Sequence, residues 1–200
     1  MALADETEVR RILSAFEPTI LDIVHGAWSD WMASPHRSTL RYPRTRACLV
    51  HEFMVKRAIE AFDGSSDVHV IHQDETAKFL IGRELLLRLK KGDANGLGCN
   101  IETQAVLNFT DPQMVIPGLP DVQKVDVVYV LNTIETQIDR VAVAARDNGT
   151  RLWSYDIEDR RAAPVLPLPQ PTSSPDIGAV VRLRGARNAG KKINDDKNSG

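Results

Sequence analysis

The spacing of apolar residues changes once along this chain, and that change restricts the fold more than any other feature. Up to about residue 62, apolar residues recur every three or four positions, as on one face of an amphipathic helix. Between residues 67 and 159 they alternate with polar residues, as in half-buried strands. The pattern predicts an α+β domain with two N-terminal helices packed on a mostly antiparallel sheet of about six strands.

Prolines predict where the helices begin and end. Residues 5–33 have a helical pattern in which Pro18 either kinks the helix or starts a second one after Phe16. Residues 34–42 are polar and contain Pro35, which predicts a linker. Pro43 suits the first turn of the next helix, which we expect to run to about Phe62.

Six segments have the alternation of strands. We expect the first three to form an antiparallel group with short connections, and the last two to form a hairpin through Asp147, Asn148 and Gly149. A short helix is predicted over 102–109, and the PGLP segment after it is a loop because proline does not fit a regular ladder. The predicted strands are 68–72, 78–82, 85–90, 125–131, 141–146 and 151–157.

Composition shifts after residue 159. Five prolines precede a tail rich in glycine, arginine, lysine and asparagine, so we predict a single domain over 1–159 and a disordered tail over 160–200. The tail carries a balance of +5, which leaves −7 for the first 159 residues. An acidic body excludes a domain whose whole surface is made for nucleic acid, although it leaves room for a local basic site.

Cysteine content and hydropathy give the expected compartment. Cys48 and Cys99 have no zinc-binding spacing, so neither a metal nor another cofactor is predicted. Cys48 lies in the apolar helical pattern and is expected to be a buried thiol. The acidic N-terminal segment does not have the pattern of a secretory signal, and no apolar run is long enough to span a bilayer. A soluble cytoplasmic protein without a membrane partner is therefore expected.

The third predicted strand ends in positive charge. Leu85, Leu87 and Leu89 share one face, and Arg88 and Lys90 lie on the other. A loop rich in glycine and asparagine follows. Such a strand end either meets a phosphate or carboxylate, or forms a solvated hairpin edge that lysine guards against further pairing.

The helix that begins at Pro43 carries a histidine with arginines near it. Histidine moves protons near neutral pH, and arginine holds phosphate oxygens by two-pronged contacts. If this helix packs against the sheet, its imidazole meets the cations of the third strand in one pocket. The alternative is a surface histidine with arginines that pair with carboxylates. The predicted catalytic residues are His51 and Lys90, and the predicted phosphate-binding residues are Arg44, Arg46, Arg88 and Lys91.

A metal-dependent nuclease core of the PD-(D/E)xK type has a similar order of helices and strands, but it requires an acid two positions before the lysine. Here that position is Arg88, and neither Asp74 nor Glu84 has the spacing to Lys90. His69 and His72 fall on opposite faces of a strand, where they make a poor metal pair. No metal site is predicted.

Four segments, YPRTRACLVHEFM, RELLLRLKKGDANGLGCNIETQ, VIPGLPDV and LWSYDI, occur in this order over residues 42–157. In this arrangement the chain resembles a family of small, uncharacterised bacterial and phage proteins. Members are commonly encoded beside a regulator that joins a helix-turn-helix domain to an ImmA/IrrE-type metallopeptidase-like domain. That pairing has the form of a toxin–antitoxin module with the small protein as the toxin.

The resemblance implies a toxin-like component of a toxin–antitoxin or defence module, with an antitoxin or regulator protein as its partner. If this component is an enzyme, the histidine and the basic residues predict action on RNA or another phosphate-bearing target, so a nucleic acid is the other expected partner. The alternative is a non-catalytic regulatory protein that binds the metallopeptidase-type regulator through the basic strand and the PGLP loop. A third hypothesis is nucleic-acid binding by the basic tail.

Overall fold

The computed structural model describes residues 3–73, 76–98, 109, 111, 122–147 and 150–159. The chain divides into two units, Met1–Ala162 and Ala163–Gly200, and every described element belongs to the first. The predicted tail over 160–200 lies outside the described residues, as do Asn148, Gly149, the PGLP loop and, apart from Phe109, the helix predicted over 102–109.

Three α-helices precede the sheet: α1 (Glu6–Leu13), α2 (Glu17–Ala33) and α3 (Pro43–Phe62), with one 3₁₀ turn at Pro35–Ser38. Pro18 lies in the first turn of α2, where its missing N–H costs no helical hydrogen bond. The chain therefore starts a new helix after Phe16, which was one of the two predicted outcomes. The bounds of α3 are those that the sequence predicted.

The six strands are β1 (Val68–Gln73), β2 (Thr76–Ile81), β3 (Leu85–Lys91), β4 (Gln123–Leu131), β5 (Ile138–Asp147) and β6 (Thr150–Asp156). They lie side by side in chain order. Every neighbouring pair is antiparallel except β3 and β4, which are parallel. The predicted α+β fold with a mostly antiparallel sheet is confirmed. The hairpin-edge interpretation of the basic strand is wrong, because β3 lies inside the sheet and pairs with a strand on each side.

The helices pack on one face of the sheet and form the main core with it. Phe62, at the end of α3, lies 5.9 Å from Phe79 of β2 between ring centroids, and Trp28 of α2 lies 6.5 Å from Tyr129 of β4. Leu87, which pairs with Phe79, belongs to the same core. The opposite face of the sheet carries a smaller apolar cluster. Its buried members are Leu80, Leu86 and Phe109.

Cys48 is exposed, so the prediction of a buried thiol is wrong. The core positions of α3 are Val50, Met54, Ala58 and Phe62, four residues apart. At about 100° per residue, position 48 lies roughly 200° from Val50 and faces away from the core. Among the residues described, none of the helices has both the length and the apolar content needed to cross a membrane.

Candidate anion-binding site

The sheet face opposite the helices carries a group of cations, which we call the cationic face. Each member alternates along its strand with residues of the main core, and this alternation places it on the other side of the sheet. The members come from four neighbouring strands, so the sheet brings together charges that are far apart in sequence. The cationic face consists of Lys78 on β2, Arg88 and Lys90 on β3, Lys124 on β4 and Arg146 on β5, around Asp126 on β4.

Arg88 and Asp126 form a buried ion pair at the centre of this face. They are register partners across the parallel β3–β4 ladder, and they are 3% and 2% exposed. Arg88 donates through Nε to Oδ1 at 2.9 Å and through Nη2 to Oδ2 at 3.2 Å. The Cζ atom of Arg88 lies 3.5 Å from the centroid of the Phe109 ring. Burial lowers the pKa of Arg88, and the Asp126 carboxylate opposes that shift. Arg88 is thus held by a carboxylate on one side and an aromatic ring on the other.

Arg146 approaches the same carboxylate and retains an unused donor. Its Nη2 donates to the Gly98 carbonyl at 2.9 Å, and its Nε lies 3.5 Å from Asp126 Oδ2. That Nε is buried and has no hydrogen-bond acceptor in the part of the chain that the structure describes. A buried donor without an acceptor costs about 1–3 kcal/mol, which a bound acceptor would offset.

Lys90 is half-buried beside these arginines. No hydrogen bond or ion pair to its ammonium occurs among the described residues. Burial lowers the pKa of Lys90, the nearby Arg88 and Arg146 lower it further, and Asp126 opposes them. A Cβ placed on Gly98 would lie 3.3 Å from the Lys90 Cβ, so the loop after β3 packs directly on this side chain. The ammonium of Lys90 is therefore repelled by nearby positive charges, and a bound anion would offset that repulsion.

Lys124 adds to the same field. Its Nζ donates to the Asp111 carbonyl at 2.9 Å. Burial lowers the pKa of Lys124, and the neighbouring charges of Lys78 and Arg88 also lower it, while Asp111 raises it. Lysines from β2 and β4 thus act on one another across β3, which shows that the positive charge of this face is concentrated.

The sheet opens beside these cations. Pairing of β2 with β3 ends at Phe79 and Leu87, whereas pairing of β3 with β4 continues to Lys91. From Arg88 onward, β2 therefore no longer pairs with that edge of β3. Continued register would have set Lys78 opposite Arg88, two like charges that destabilise direct cross-strand pairing. In the part of the chain that the structure describes, this edge of β3 has no strand partner from Arg88 to Lys90.

His51 lies within electrostatic reach of Lys90. Burial lowers the pKa of His51, the Lys90 charge lowers it further, and Glu52 opposes the shift. α3 runs antiparallel to β3, because its first turn is connected to the end of β3 through Glu135 and its last residue contacts β2. His51 thus lies along the second half of β3 on the helix side, whereas Lys90 lies on the opposite face of the sheet, so the structure does not show the predicted common pocket. The lowered pKa favours the neutral imidazole, which can accept a proton.

Two of the predicted phosphate-binding residues hold a carboxylate instead. Lys91 Nζ donates to Glu135 Oε1 at 2.8 Å, and Arg46 Nη2 donates to Glu135 Oε2. These hydrogen bonds lower the pKa of Glu135. Lys91 alternates with Lys90 and points to the helix side, and Arg44 is exposed. The structure therefore does not gather Arg44, Arg46 and Lys91 with Lys90, and their part in binding phosphate stays a prediction.

The glycine-rich loop after β3 is held by arginines. Arg140 donates to the Ala94 carbonyl at 3.1 Å and Arg151 to the Asn95 carbonyl at 2.6 Å, in addition to the contact of Arg146 with Gly98. Gly96 has φ +74°, which glycine adopts at little cost. The loop is thus fastened over β5 and β6 by side chains from three positions, which fixes one border of the cationic face.

Asp126 and Arg146 are the site residues that sequence reasoning missed. The signal for Asp126 was a lone acid in the apolar strand KVDVVYV, because a buried carboxylate requires a partner. Arg146 had no comparable local signal. Among the residues that the structure describes, no group of three histidine, cysteine or acidic side chains is arranged to hold a metal ion.

Comparison of the chain with protein-family models, with curated protein sequences and with solved structures gave no match.

Proposed function

We propose that this protein acts on a phosphate-bearing target, with RNA as the specific candidate, as the toxin-like component of a bacterial or phage toxin–antitoxin module. The observation that carries the proposal is the Lys90 ammonium, which is half-buried and has no hydrogen bond or ion pair with any described residue, beside the unused Arg146 donor. The resemblance of residues 42–157 supports a toxin-like role, and the histidine and basic side chains support the choice of RNA. Arg88 adds to the positive electrostatic potential of this face, although its Nε and Nη2 already donate hydrogen bonds to Asp126.

In this proposal a phosphodiester enters at the opening beside β3. Lys90 and Arg146 contact the non-bridging phosphate oxygens, whose charge they attract more strongly in a partly dehydrated site than in water. His51 lies on the helix side of β3, so the proposal requires the substrate to reach it past the strand edge that β2 leaves unpaired. His51 then accepts the proton of the ribose 2′-hydroxyl, the 2′-oxygen forms a bond to phosphorus, and the bond to the 5′-oxygen breaks. Lys90 gives its proton to that leaving oxygen, which its lowered pKa favours.

The test is to express the protein alone in a bacterial host and to assay the purified protein on RNA. We expect growth arrest by the unaltered protein, and loss of arrest for His51→Ala and for Lys90→Ala. The rate of RNA cleavage should fall about 10²- to 10⁴-fold for His51→Ala, the usual contribution of a general base.

Two exposed residues provide matched controls. His25→Ala on α2 and Lys56→Ala on α3 remove the same side-chain types away from the cationic face, and both variants should arrest growth like the unaltered protein. Circular dichroism of all four variants checks that each is folded. Growth arrest that survives in both folded His51→Ala and Lys90→Ala proteins would refute this active site.

A non-catalytic regulatory protein is the second candidate. The observation in its favour is that Arg46, Arg88 and Lys91 each hold a carboxylate already, so these cations stabilise the fold without any ligand. This candidate predicts co-purification with a regulator encoded nearby, and no inhibition of growth when the protein is expressed alone.

A further inference from the structure

A cleft of about 270 Å³ lies between the end of α2, the start of α3 and the turn that joins β4 to β5. It belongs to the helix side of the molecule and is separate from the cationic face. We call it the arginine cleft. Its lining includes Met32, Arg37, Leu40, Arg41, Tyr42 and Ile134.

Large apolar side chains at the rim of the cleft are exposed to solvent. Tyr42 is 73% exposed and Ile134 is 74% exposed, and Met32 beside them is also exposed. Tyr42 immediately precedes α3, and Ile134 lies in the β4–β5 turn. Exposed apolar groups rimmed by polar residues mark interaction sites.

The charge around the cleft is mostly positive. Residues 31–51 contain four arginines and no acidic residue, although the first 159 residues sum to −7. Arg37, Arg41 and Arg44 are exposed and make no ion pair with any described residue. Glu135 also lines the cleft, but Arg46 and Lys91 neutralise its charge. The arginine cleft is thus a local reversal of charge on an acidic body.

We infer that the arginine cleft binds an acidic polypeptide segment that carries apolar side chains. The segment's apolar residues would lie between Tyr42 and Ile134, and its carboxylates would pair with the exposed arginines. Single-stranded RNA suits the cleft less well. Of its two aromatic lining residues Trp31 is buried and only Tyr42 is exposed, whereas bases require stacking surfaces that Ile134 and Met32 do not provide.

The probe is a fluorescein-labelled synthetic peptide rich in Asp and Glu with a central Leu-Phe pair, titrated with the full chain by fluorescence anisotropy. The triple variant Arg37→Glu, Arg41→Glu, Arg44→Glu should weaken binding at least about tenfold, as should Tyr42→Ala. Added salt should weaken binding by the unaltered protein. A peptide with Asn and Gln in place of the acids should not bind.

Controls separate the arginine cleft from general electrostatics and from the proposed active site. Arg83→Glu and Lys56→Glu change exposed charges elsewhere and should bind the peptide as the unaltered protein does. His51→Ala with Lys90→Ala should also leave peptide binding unchanged, so loss of RNA cleavage and loss of peptide binding are distinguishable.

Three outcomes would overturn the inference. The first is absence of peptide binding at millimolar concentration. The second is preferential binding of labelled oligouridylate that the triple arginine variant abolishes, which would make the cleft an RNA site. The third is sedimentation of the unaltered protein as a dimer that the triple variant dissociates, which would show that a second copy fills the cleft.

Discussion

At the scale of single residues, the charge of Lys90 connects the two halves of the candidate site. Burial and two neighbouring arginines lower the pKa of Lys90. The charge of Lys90 in turn lowers the pKa of His51, which lies on the other side of β3. A bound phosphate would oppose both shifts in pKa, because a negative charge favours the protonated forms. The pair can therefore report ligand binding through proton uptake.

Lys90→Met should raise the pKa of His51 towards its ordinary value, because the substitution removes a nearby positive charge and retains most of the side-chain volume. Burial is the larger cause of the lowered pKa, so the value should stay below 6.5. The titration of the His51 ring protons by NMR measures this change. Lys56→Met on the same helix is the control, and an unchanged His51 pKa in Lys90→Met would show that the two groups do not interact.

Alternation along β3 was sufficient to predict that Arg88 and Lys90 share a face. It did not reveal what they face, because alternation in one strand contains no information on the neighbouring strand. The pairing of Arg88 with Asp126 depends on the register of a parallel ladder between distant segments. For the same reason the sequence suggested a phosphate partner for Lys91, which the structure pairs with Glu135 instead.

At the scale of elements, Glu135 fastens a turn, a helix and a strand together. Its backbone has φ +52°, a conformation that costs a residue with a side chain about 1–2 kcal/mol. Its carboxylate then reaches both Arg46 at the start of α3 and Lys91 at the end of β3. These contacts hold the start of α3 near the end of β3, and His51 follows about two turns further along the helix.

Glu135→Gln should lower the melting temperature by roughly 2–4 °C at pH 7, since half-exposed ion pairs contribute about 1 kcal/mol or less. The folded state holds the pKa of Glu135 below 4.5, so its stabilisation is present above that value and is lost as pH falls through the folded pKa. The difference between variant and unaltered protein should therefore become smaller as pH falls from 4.5 towards 3. Calorimetry at pH 7 and at pH 3 measures it.

Glu158→Gln, at an exposed carboxylate, is the matched control and should not change the melting temperature at either pH. A deficit of Glu135→Gln that persisted undiminished at pH 3 would show that the loss comes from the turn conformation and not from the ion pairs.

Helices and strands were predictable from the sequence because proline and the hydrophobic period act locally. Pro18 and Pro43 mark the first turns of α2 and α3, and the six strands coincide with the six alternating segments. The parallel direction of β4 against β3 was not predictable, since no local signal records the direction of a strand relative to a partner more than thirty residues away.

At the scale of the whole molecule, every described element belongs to the first unit. From composition we expect residues 160–200 to add nothing to its stability. A chain that ends at Asp159 should unfold in urea with the same midpoint and the same slope, because the slope follows the surface exposed on unfolding. A clear fall in either quantity would show that the tail folds onto the rest of the chain.

The single parallel pairing divides the sheet into two meanders, β1–β2–β3 and β4–β5–β6, each built from neighbours in the chain. Leu85 and Gln123 begin the seam between them, thirty-eight positions apart. Each meander can form quickly, whereas the seam must close a long loop and is expected to be the slow step of folding. During synthesis Arg88 is made well before its partner Asp126. Until the second meander pairs with β3, that edge of β3 is exposed. The charges of Arg88 and Lys90 beside it disfavour pairing with other chains and so reduce aggregation.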